Sequence, residues 1–134
     1  MNPINYLPIL VASLASFAIS SLWYSPILFG KEWVALSGTD MKTINPKTVW
    51  KSYIAQFFIT LITFSVLAFL ISMASVRSST DGAFLGLLVW LGFVIPSLLS
   101  GLLWKRESFT LVLIDAINNL VVLTIGGAII GAWR

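Results

Sequence analysis

The chain has 134 residues, 58% of them hydrophobic and 10% charged, with a mean hydropathy of +0.97; soluble domains carry about 25% charged residues, so an ordinary water-soluble fold is excluded. It contains no Cys and no His, which excludes disulfides, thiolate chemistry, imidazole metal sites, His-ligated haem and His-based catalytic triads. The net charge of +3 comes from basic residues beside apolar runs rather than on a polar face with interleaved aromatics, so it points to membrane flanks and not to nucleic acid.

Apolar runs at about residues 4–22, 52–74, 82–104 and 109–133 are each close to the ~20 residues of helix that cross ~30 Å of hydrocarbon. The opening "MNPINYLPIL" has no charged n-region and no small-residue cleavage site before a polar mature chain, so the first run is expected to be retained. The whole chain, 1–134, therefore reads as one all-α, four-span transmembrane domain. Between the first two spans, "WYSPILFGKEWVALSG" offers Ser25 as a cap, Pro26 at the first helical position and Gly38 as a stop. Phe29, Trp33 and Leu36 then share a face, which predicts a short interfacial helix on the inner leaflet, either a lipid anchor or a gate. Trp23, Tyr24, Trp33, Trp50 and Trp104, with Lys51, fall near one boundary and are expected to be membrane-interface anchors. Asn45-Pro46 supplies an N-cap and first position for the second span.

In the third span Pro96 is expected to kink the helix and free the carbonyl near Gly92. Small residues recur every fourth position: Ala12, Ser16 and Ser20; Gly82 and Gly86; Gly92, Pro96 and Ser100; Gly127 and Gly131. Such stripes let helices approach closely, either within the bundle or between copies. The fourth span contains "LVLIDAINNLVV", in which Asp115 lies about 10 Å along the axis from Ser108 at about 1.5 Å per residue. A short Asp side chain cannot snorkel that far. An ionised Asp near a helix centre costs about 2.5–3.5 kcal/mol to insert, less than the apolar residues around it gain, so the helix inserts but should hide that face.

Four spans put residues 23–51 and the turn "KRES" on one side, and the termini with "VRSSTDG" on the other. Lys31, Lys42, Lys47, Lys51, Lys105 and Arg106 lie on the first side, against Arg77 and Arg134 on the second. This bias predicts a multi-pass protein of the inner (plasma) membrane with both termini outside the cytoplasm.

The segments "LWYSPILFGKEW" (22–33), "WLGF" (90–93), "RESFTLVLIDA" (106–116) and "GAIIGAW" (127–133) resemble the family known as domain of unknown function 1761. The aromatic-Pro-Phe-Gly-Lys-x-Trp block is the most specific part of the likeness, which covers nearly the whole chain. The resemblance implies a small prokaryotic four-span inner-membrane protein with no established activity, and adds no mechanism.

Asn118 and Asn119 follow Asp115 at i+3 and i+4, which puts all three on one helical face. Ser20, Ser21, Gln56, Thr60, Ser97 and Ser100 lie at comparable depth on the other spans, and a bundle is expected to gather polar groups around Asp115. Asp115, Asn118, Asn119, Gln56, Ser97 and Ser100 thus form the candidate intramembrane polar site. Two uses stay open: a protonation or cation site lining an aqueous vestibule, or a hydrogen-bonded group that sets helix register. No phosphate loop, spaced acid pair or nucleophile with a base is visible, so no catalytic residue, metal or cofactor is assigned. The lipid bilayer is the expected surrounding, with no nucleic-acid partner. The function expected is assembly, as a homo-oligomer or as an accessory subunit beside other membrane subunits; the alternative is a small transporter or channel coupled to protons or cations at Asp115.

Overall fold

The computed structural model describes residues 5–38 and 45–134; Lys42 and the expected start of the first span at residue 4 lie outside them. The described chain is all-helical: α1 (Tyr6–Trp23), α2 (Gly30–Ser37), α3 (Val49–Met73), α4 (Ser79–Val89), a π-helical turn (Trp90–Val94), α5 (Ile95–Trp104) and α6 (Phe109–Ala132). Helices α1, α3, α6 and the continuous run Ser79–Trp104 are each long and apolar enough to cross a membrane. By helix length and hydropathy this is a small multi-span membrane protein.

Local chemistry sets the ends. The Asn5 side chain accepts from the Leu7 amide at 3.1 Å to open α1. Ser78 accepts from the Asp81 amide at 3.1 Å to open α4, whose first turn holds the Asp81 carboxyl beside the positive end of the helix dipole. Gly38, at φ 73°, closes α2 in the left-handed conformation, as expected of a C-terminal glycine. Two expected starts move. Ser25-Pro26 does not open α2, because the Ser25 carbonyl accepts from both the Leu28 and Gly30 amides and closes a tight turn first. Asn45-Pro46 likewise forms a turn, with the Asn45 side chain accepting from the Lys47 amide at 2.9 Å, and α3 begins at Val49.

Pro96 has no N–H to give the Gly92 carbonyl. The turn before it widens, so that the Ile95 amide reaches back five residues to the Trp90 carbonyl. The disturbance predicted at Pro96 therefore takes the form of a π-turn.

Helix α6 is the axis on which every other helix packs. In its most apolar stretch 44% of residues are buried, against 11% for the third span. Its closest neighbour is α4, because glycines remove the side chains between them. A Cβ at Gly82 would strike the Gly127 carbonyl, one at Gly86 the Leu123 carbonyl, and one at Gly131 the Ser78 carbonyl. Backbone contact of this kind replaces the hydrophobic drive that is missing between helices in lipid. Ala12 and Ser16 are also buried within the bundle, whereas Gly92, Pro96 and Ser100 face outward.

The apolar core, including Ile9, Ala12, Phe64, Leu67, Ile71 and Leu123, lies in the half of the bundle remote from the Lys-rich end. Phe64, 1% exposed, closes this core over Gly126, where a Cβ would strike its ring. Toward the Lys-rich end α3 diverges, and from Trp50 to Ile59 every residue except Phe57 is exposed. The bundle is thus packed at one end and open at the other. Large apolar side chains on the outside, such as Phe58, Ile62 and Phe69, are those expected to face lipid.

Candidate functional site

The polar residues of α6 each take a different partner. Asp115, half-buried, accepts from the Tyr24 hydroxyl at 2.6 Å, the separation of a hydroxyl donating to a carboxylate. Asn118, buried, exchanges hydrogen bonds with Ser20 of α1 at 3.3 Å. The Asn119 side chain donates to the Asp115 backbone carbonyl at 2.8 Å, one turn back. Two tryptophans then grip the α6 backbone on either side of Asp115. Trp23 donates its indole N–H to the Ile114 carbonyl at 3.2 Å, and Trp90 donates to the Ala116 carbonyl at 2.8 Å. Each carbonyl has a second lone pair free for this after serving the helix.

Residues 23–37 fold back as a strap over this region. The Phe29 ring stacks on Trp23 at 4.8 Å and the edge of Trp33 meets Tyr24 at 5.8 Å. The Phe29 amide donates to the Trp23 carbonyl and the Gly30 amide to the Ser25 carbonyl. Gly30 permits the fold, since a Cβ there would strike the Tyr24 carbonyl and the Ser25 backbone. Burial, and then the adjoining Asp115, push the Tyr24 phenol above its ordinary range, while Asn118 acts in the opposite direction. Tyr24 stays protonated and remains a donor.

Where α3 diverges, a cleft of about 430 Å³ opens between α1, α3 and α6. Its polar wall includes Ser16, Ser20, Tyr24, Gln56, Thr60 and Asn119. Phe17, packed edge-on against Tyr53 and Phe57 at 6.3 and 6.0 Å, forms an aromatic flank. From Tyr53 to Thr60 the cleft runs about 10 Å along α3, roughly a third of the hydrocarbon thickness. A second cavity of about 270 Å³ shares Ser16, Ser20, Gln56, Thr60, Asn118 and Asn119, and continues to Phe64, Val89, Val94 and Leu123.

Of the candidate site residues, Gln56, Asn118 and Asn119 come together in this cleft. Asp115 sits beside it, joined to the wall through Tyr24. Ser97 and Ser100 do not join: both are exposed on α5, and the Ser100 hydroxyl donates to the Pro96 carbonyl. The π-turn before them supplies the reason, because one extra residue turns the following helix by about 100°. Among the expected interface anchors, Trp50, Trp104 and Lys51 are exposed, with the Lys51 ammonium 5.8 Å from the Trp50 ring. Trp23, Tyr24 and Trp33 are instead half-buried in the strap, where rings pack on rings and donors reach α6. Ser16, Phe17, Tyr53 and Trp90 were not legible as site residues, since in sequence they are ordinary members of apolar runs.

The sequence profile of the family described as Protein of unknown function (DUF1761) matches residues 7–131. The chain belongs to that family. No curated protein and no solved structure matches the chain. In this DUF1761 protein the block "WYSPILFGKEW" forms most of the strap: it carries the donor to Asp115, the indole on Ile114 and the glycine that lets the chain turn back.

Proposed function

We propose that the protein is a membrane-embedded binding protein for a small molecule, held in the α1–α3–α6 cleft. One observation carries this reading: the three amide side chains of the described helices, Gln56, Asn118 and Asn119, meet the hydroxyls of Ser16, Ser20, Tyr24 and Thr60 on one cleft of about 430 Å³, within the range of ligand sites. Phe64 and the packed core beyond it close the cleft at the end remote from the lysines. In this reading the Lys-rich end is cytoplasmic and both termini are outside. On the same reading the hydroxyls and amides of the wall bind by hydrogen bonding, and Asp115 holds the strap through its Oδ1, which accepts from the Tyr24 hydroxyl.

The chain has no cysteine, so a single thiol reports access directly. In inverted membrane vesicles, Gln56→Cys is expected to react with a membrane-impermeant maleimide. Phe58→Cys, two residues on and exposed on α3, is expected to stay unreactive in the lipid. Equal silence at both positions would remove the aqueous cleft, and reaction of Gln56→Cys only in right-side-out vesicles would reverse the orientation.

A second reading, action by assembly as a homo-oligomer or as an accessory subunit of a membrane complex, is supported by the third span, which the rest of the chain leaves largely uncovered. Extraction from its own membrane in a mild, lipid-retaining polymer is then expected to give a particle whose protein mass exceeds one chain. A single-chain particle would rule this reading out.

A further inference from the structure

We infer that the ligand is an amphiphile with an uncharged, hydrogen-bonding head, delivered sideways from the lipid; this rests on the cleft being a binding site. The polar wall offers donors and acceptors but no net charge. Ser16, Ser20, Gln56 and Asn119 are neutral, and the Tyr24 hydroxyl is protonated and already engaged with Asp115. An anion placed against such a wall would lose its hydration without gaining a counter-charge, and a cation would be kept from the nearest one, Asp115, by the Tyr24 hydroxyl that already occupies its Oδ1. A head bearing hydroxyl, carbonyl or amide groups exchanges its bonds to water for bonds to these side chains instead.

The second cavity specifies the rest of the molecule. It shares Gln56, Thr60, Asn118 and Asn119 with the polar cleft and continues between α3 and the third span, past Ile59, Phe64, Val89, Val94 and Leu123. Its far part is a surface for hydrocarbon, continuous with the hydrogen-bonding chamber. Ile59 on its edge is 55% exposed, so the crevice is open on the side that faces the bilayer. A wholly polar solute would leave this crevice unfilled, and a plain hydrocarbon would leave the amides and hydroxyls unmatched. A neutral head with an apolar tail fills both.

The test uses Ser21→Cys, an exposed position on the cleft wall, in proteoliposomes made permeable to a polar maleimide. Thr48→Cys, exposed outside the cleft, is the control. Monooleoylglycerol at ten times its dissociation constant is expected to slow modification of Ser21→Cys about tenfold, and to leave Thr48→Cys unchanged. The Gln56→Leu/Asn119→Leu double variant is expected to abolish this protection. Lysophosphatidylglycerol and dodecyltrimethylammonium, with anionic and cationic heads, are expected to give none. Equal protection by either charged amphiphile overturns the neutral-head inference. Protection by glycerol but not by monooleoylglycerol overturns the amphiphile and leaves the binding cleft standing. If none of these protects, both the inference and the binding reading fall.

Discussion

Gly127→Val is expected to lower the stability of the folded protein by about 3 kcal/mol, the upper part of the usual range for overpacking. The cause is backbone contact. Gly127 and Gly82 face each other so closely that a Cβ on either strikes the carbonyl of the other, and backbone cannot step aside as a flexible side chain can. Val at either position must push α4 and α6 apart, which also strips the contacts of Gly86 with Leu123 and of Gly131 with Ser78. In lipid no hydrophobic gain compensates, because a separated helix face is covered by chains as apolar as the ones it lost. Gly92→Val, at an exposed position, is the matched comparison. A Cβ there meets nothing within 4 Å, so the change is expected to fall within about 0.5 kcal/mol of neutral. Denaturant unfolding in mixed micelles, followed by tryptophan fluorescence, measures both. Equal effects at Gly127 and Gly92 would mean that α4 and α6 do not meet through their glycines.

Tyr24→Phe is expected to loosen the strap at a cost of about 1–3 kcal/mol, the penalty for leaving a partly buried polar group without its donor. The variant keeps the ring, and with it the edge contact to Trp33, so any effect belongs to the hydroxyl and to Asp115. Asp115→Leu is expected to match it, since it removes the acceptor. Asp115→Asn is expected to be milder, because the amide oxygen still accepts from Tyr24. Limited proteolysis between residues 24 and 38 reads strap opening, and the thiol protection described above reads the cleft. If Asp115→Asn abolishes ligand protection while the strap stays closed, Asp115 is part of the binding site and the strap-holding role assigned to it is wrong. If Tyr24→Phe leaves proteolysis unchanged, the hydroxyl is not what holds the strap.

Both effects arise from features of very different legibility. The four spans follow from length and hydropathy, because whether a helix of ~20 apolar residues suits a bilayer depends only on that segment and its solvent. The shared face of Asp115, Asn118 and Asn119 follows from the helical period, again a local property. The end of α2 at Gly38 was legible for the same reason, since the left-handed turn is a glycine conformation. The starts of α2 and α3 were not, because Ser25 and Asn45 use their carbonyls in turns of their own before the helix begins.

By itself, then, the sequence determined the number of spans, the Lys-rich end and the polar stripe on α6, all set by the chemistry of single segments. Only the tertiary structure decided which polar groups meet. A π-turn before Pro96 swung Ser97 and Ser100 outward, while the divergence of α3 brought Gln56 and Thr60 opposite Asn119. Aromatic residues that composition assigns to the membrane boundary became donors to α6, because the chain turns back at Gly30. Rotation about a helix axis and the angle between helices depend on contacts far apart in sequence, and those contacts set the acid of the fourth span against the Tyr24 hydroxyl.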